Sequence, residues 1–195
     1  MVIFGQETNG WYCDYMNSEE EIRNNVGMYK DFRLGADYNS LFWQYAHSFN
    51  MELNGIDDLN FVWMNVNKFG SGSGVGKPEL VEFRQCRHVE QQAVHAQAVL
   101  DDEVKYYNLL VEELAILKPD VCLFLTGPNY DQDIARKLPD VEFHSLCEFG
   151  EREAARLHSR YLPRHSYRTY HPGYGNRISE TYQRILNAIL DECKR

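Results

Sequence analysis

Short apolar runs alternate along this chain with longer stretches in which apolar positions recur every three or four residues. The runs read as strands: Val2 to Phe4, FVWMNVN over 61–67, VCLFLTG over 121–127, VEFHSL over 141–146 and SYRTYHP over 166–172. Runs this short and this apolar suit strands covered on both faces. The periodic stretches read as helices over 18–32, 39–51, 101–117, 151–162 (EREAARLHSRYL) and 178–193. Ser18 followed by Glu21 makes a capping box at the first of them. In the second, Leu41, Phe42, Tyr45, Ala46 and Phe49 share one face, as Val104, Tyr107, Leu110, Val111 and Leu114 do in the third. Lys118-Pro119-Asp120 then marks a helix exit into an apolar strand, the grammar of a parallel βαβ unit. The pattern predicts a three-layer α/β/α sandwich around a mainly parallel sheet of four or five strands, among them 2–4, 61–66, 121–126 and 167–170. No internal repeat or linker divides residues 1–195, so one domain is expected. A domain that opens directly on a buried strand leaves room for further chain ahead of it.

Composition changes this picture little. The chain has 195 residues, 44% of them hydrophobic, enough for one core. No run approaches the roughly 18 apolar residues of a membrane span, and the first residues lack the basic and apolar regions expected of a signal peptide. Cys13, Cys86, Cys122, Cys147 and Cys193 are odd in number with no Cys-x-x-Cys pair, against a disulfide framework or zinc ribbon. A reducing cytoplasm is the expected compartment. Cys86, His88 and His95 are too irregularly spaced for a metal centre, and no metal or cofactor is expected. GSGSGVGKPE over 70–79 fails as a phosphate-binding loop: Ser71 stands where the first glycine belongs, and Pro78 where a Ser/Thr would hold magnesium.

Charge changes it more. The net charge of −9 speaks against nucleic acid, yet residues 151–195 hold nine Lys/Arg against five Asp/Glu. Between Ala154 and Ser179 there is no acid, but five arginines, three histidines and four tyrosines. Such a stretch could present an anion-binding face. Arg152, Arg156 and Arg160 lie four apart and fall on one face of the helix expected there, either a solvated face or a phosphate track.

In parallel sheets ligands sit beyond the carboxyl ends of the strands. Those ends carry Gly5-Gln6-Glu7, then Asn65 and Asn67, then Thr126-Gly127-Pro128-Asn129, and last His171-Pro172-Gly173. Amides read hydrogen-bonding edges, a carboxylate orients water or offsets a cation, and no activated nucleophile is evident.

In this order the motifs GQETN, FVWMNVN, VCLFLTG and YHPGYGN resemble those of the uracil-DNA glycosylase superfamily, across residues 2 to 190. The resemblance implies an enzyme of DNA base excision that hydrolyses the N-glycosidic bond of a deaminated or damaged base. It implies that Gln6 contacts the base carbonyl through its backbone and that Asn65 reads the base edge. Glu7 would position water and offset the sugar's positive charge, and His171 would donate to the departing base. Cleavage of this kind wants a carboxylate on one side and a donor on the other. A flipped base also wants an aromatic wall, for which Trp11, Tyr12 or Tyr15 is available. Arg168, Arg177 and Tyr174 are the candidates for phosphate contact. The chain departs from the family at four places. Glu7 replaces an aspartate, Asn9 the tyrosine that excludes thymine, Gly173 a phosphate-gripping serine, and Gly175 an apolar wedge. Two other functions remain open: a non-catalytic reader of a nucleotide or base, and a hydrolase of small nucleosides.

Overall fold

The computed structural model describes residues 1–7, 19–55, 60–68, 101–102, 104–106, 108–173 and 179–195. Its centre is a six-stranded sheet of β1 (Val2–Gly5), β2 (Val62–Asn65), β3 (Val121–Phe124), β4 (Glu142–Ser145), β5 (Ala154–His158) and β6 (His165–Thr169). The spatial order is β2-β1-β3-β6-β5-β4. β1 pairs in parallel with β2 and β3, and β3 with β6, while β5 runs antiparallel to both β6 and β4. Every residue of β1 and β3 is buried, as two-faced parallel strands require.

Alternation along β1 divides the core. Ile3 faces one side with Leu123 and Tyr167, packed by Trp43, Ala46 and Phe49 of α2 (Leu41–Asn54) and by Tyr182, Ile185 and Ile189 of α5 (Ser179–Cys193). Val2 and Phe4 face the other with Cys122 and Phe124, beneath Leu110 and Leu114 of α3 (Leu109–Leu117) and Ile134 of α4 (Asp131–Lys137). Phe4 and Phe124 stack with centroids 4.2 Å apart. This is the expected mainly parallel α/β sandwich, and β3 lies inside the sheet, between β1 and β6.

Local signals set several helix ends. Ser40 Oγ accepts from the Trp43 amide at the start of α2, and Gly55 closes it at φ 66°, a left-handed conformation glycine adopts without strain. The helix expected from residue 18 runs over α1 (Glu19–Asp31); Ser18 of its capping box lies outside the described residues. The long helix expected over 101–117 breaks at Asn108 (φ −72°, ψ 66°), and α3 begins at Leu109.

One element is corrected outright. Residues 151–162 do not form a helix; Ala154–His158 is strand β5. Ala, Arg and Leu are good helix formers, but Ala154, Ala155 and Leu157 are buried between β4 and β6, and that packing overrides propensity. The sheet therefore gains a sixth strand. The arginine face disappears with the helix: Arg156 bonds Glu192, and Arg160 pairs with Asp140 at 3.6 Å in the following turn.

A polar edge at the carboxyl ends of four parallel strands

Because β2, β1, β3 and β6 are mutually parallel, their carboxyl ends share one edge of the sheet. The pairing of β1 with β2 continues past the strands, with the Val66 amide donating to Gly5 O and the Asn67 amide to Gln6 O. Glu7 and His171 follow strands two places apart in the sheet, about 10 Å by strand spacing.

Two groups of side chains form there. On the side of α4, Gln6 Nε2 donates to Thr126 O at 2.7 Å, and the Tyr130 hydroxyl donates to the Glu7 carboxylate. Tyr130 is buried in the single turn Pro128–Tyr130 that leads into α4. The Glu7 carboxylate is thereby oriented by a hydroxyl.

On the side of α2, Gly5 makes room for the Asn65 amide. A Cβ at Gly5 would stand 2.6 Å from Asn65 Oδ1 and 3.6 Å from the tip of the Phe42 ring. That ring in turn stacks on His171, with centroids 5.7 Å apart and planes at 22°. The Gly173 amide donates to His171 Nδ1 at 3.0 Å. Nδ1 is therefore an acceptor, and a neutral ring carries its proton on Nε2. Burial lowers the His171 pKa from 6.5 to about 4, so the ring is neutral at physiological pH. A Cβ at Gly173 would press on the His171 ring at 3.1 Å, so the ring's position favours glycine here.

Of the residues singled out from the sequence, Gln6, Glu7, Asn65 and His171 thus reach one edge. Trp11, Tyr12, Tyr15, Tyr174 and Arg177, together with Asn9, Gly175, Cys86, His88, His95 and the loop 70–79, lie outside the described residues. Arg168 is a correction. Its side chain is fully buried and grips Asp131 through Nε and Nη2, both at 2.8 Å, with Nη1 donating to Arg152 O. Burial raises the Asp131 pKa, against the pull of Arg168. A guanidinium so enclosed ties β6 to α4 and does not reach a phosphate.

Sequence reasoning missed Phe42 and Tyr130 as members of this edge. Phe42 carried only a core signal, its place on the apolar face of α2. Tyr130 stands one residue beyond Thr126-Gly127-Pro128-Asn129, where its proximity to a strand end was the available clue.

Among the described residues, no group of three or more His, Cys, Asp or Glu side chains could hold a metal ion, and no helix is long and apolar enough to cross a membrane. No family model and no curated protein matches the chain.

Proposed function

We propose that the chain hydrolyses the N-glycosidic bond of a nucleobase, in the manner of the uracil-DNA glycosylases. The observation that carries this is His171, a half-buried neutral imidazole whose Nδ1 is occupied by the Gly173 amide, on the same sheet edge as the Asn65 amide and the Glu7 carboxylate. In this reading the base lies between Asn65 and His171 against the ring of Phe42. Asn65 bonds the base edge, and His171 Nε2–H donates to the oxygen that gains charge as the base departs. A neutral donor suits that task, since it stabilises the anion without having to be discharged at neutral pH. Glu7, fixed by the Tyr130 hydroxyl, directs water to the sugar carbon and offsets the oxocarbenium charge. The new C–O bond forms as the C–N bond breaks, and the water proton passes to the carboxylate.

The test is base release from uracil-, hypoxanthine- and xanthine-containing oligonucleotides, run beside the corresponding free nucleosides. Release that depends on Glu7 supports the reading; binding of free base with no release from any substrate overturns it and makes the pocket a reader. A second reading, hydrolysis of small nucleosides, is favoured by one observation. Arg168, a leading candidate for phosphate contact, is committed to Asp131 in a chain of net charge −9. Preference for nucleosides over oligonucleotides would select it.

A further inference from the structure

Asn67 is fully buried and stands beside Gln6, its backbone amide donating to Gln6 O at 2.9 Å. From α4 comes an equally unusual group, the buried ammonium of Lys137, which donates to Val66 O and, at 3.1 Å, to Asn67 Oδ1. An ammonium only donates, so the atom facing it is the amide oxygen and the amide cannot be flipped. Nδ2 is then a donor of fixed direction, buried and without a hydrogen-bond partner among the described residues. Leaving a dry donor unmet destabilises a fold. The same dryness favours binding, because the desolvation of the N–H is already incurred before an acceptor arrives.

We infer that Asn67 is a specificity-determining residue, whose Nδ2–H takes a carbonyl oxygen of the ligand, and that Lys137 is the positioning residue that keeps the amide in the donating sense. This rests on the base-binding reading of the edge given above. It adds a second amide to Asn65, placed toward α4 as Glu7 is, and a lysine that never touches the ligand. The pair makes the edge prefer uracil and hypoxanthine, which present a carbonyl at the position where cytosine and adenine present an exocyclic amino group; these two are the carbonyl bases below.

The experiment measures binding of free uracil, hypoxanthine, cytosine and adenine to the full chain by NMR titration, following the Asn67 side-chain NH2 signal in the wild type. Uracil or hypoxanthine should move that signal downfield. Asn67→Asp keeps an acceptor for Lys137 while removing the donor. It should weaken the two carbonyl bases at least tenfold and spare cytosine and adenine. Lys137→Met should reduce the preference for carbonyl bases to within threefold, and Lys137→Gln, which still donates to Val66 O and Asn67 Oδ1, should restore it. A purely structural lysine would lower the melting temperature in both variants without altering the preference. Binding of carbonyl bases that leaves the Asn67 signal unmoved, or is equally tight in Asn67→Asp, overturns the inference while leaving the base-binding reading standing. If the wild type binds none of the four bases, both fall.

Discussion

Protonation of His171 is the perturbation with the largest consequence for the proposed chemistry. Its pKa falls from 6.5 in the unfolded chain to about 4 in the fold because the half-buried ring is desolvated. The native state therefore binds this proton less readily than the unfolded state, so acid destabilises. Above pH 6.5 both states hold a neutral ring and the contribution is complete; it is lost as pH falls through the window from 6.5 to 4. The linkage amounts to about 2 kcal/mol at pH 5 and about 3 kcal/mol at pH 4, a large share of the roughly 5–15 kcal/mol that holds a domain together. Urea unfolding of the wild type and of His171→Asn, measured from pH 7.5 to pH 4, isolates the effect. Asparagine keeps an acceptor for the Gly173 amide but does not titrate, and the other ionisable groups cancel in the difference. The wild type should lose about 2–3 kcal/mol more than the variant across this range. Nitrogen NMR should show Nδ1 unprotonated and Nε2 protonated at pH 6, with a midpoint near 4. A midpoint near 6.5, or a difference curve flat to within about 0.5 kcal/mol, less than a quarter of the expected linkage, would refute the neutral-donor argument.

Asp131→Ala leaves the fully buried Arg168 guanidinium without its carboxylate and should cost about 3–5 kcal/mol in denaturant unfolding. Adding Arg168→Met should recover much of that, and a loss below about 1 kcal/mol in the single variant would count against a buried pair. Glu7→Gln should slow base release by about 10² to 10³ while changing base affinity little, as when one preorganised electrostatic group is removed; an unaffected rate would make Glu7 a structural partner of Tyr130. Gly5→Ala sets a methyl 2.6 Å from Asn65 Oδ1 and should displace that amide, weakening base binding about tenfold, the factor that 1.4 kcal/mol represents. Gly173→Ser places its Cβ 3.1 Å from the His171 ring and should move the His171 NMR signals and lower the rate; unshifted signals would show that the ring yields freely.

What the sequence determined by itself follows from period and position. Apolar runs at Val2 and Val121 are too short for helices and too apolar for one-sided strands, so local chemistry alone assigns them to the interior of a parallel sheet; the run at Phe61 reads the same way, yet it forms the edge strand β2 with Val62 exposed. Once the strands are parallel, their carboxyl ends coincide, and Gln6, Glu7, Asn65 and His171 are brought to one edge by topology without any knowledge of packing. The tertiary structure decided everything that depends on which distant element supplies the partner. Ala154–His158 has helical propensity and becomes a strand because β4 and β6 bury it on either side. Arg168 reads as a phosphate-seeking cation within an acid-free stretch, yet Asp131, 37 residues earlier, encloses it. Phe42 turns from a core position into the ring beneath His171 only because α2 packs against the end of β6. Asn67 gains a fixed amide direction from Lys137, 70 residues away. Period and propensity are local properties of the chain, whereas burial, charge pairing and hydrogen-bond direction are set by groups that adjoin only after the sheet has formed.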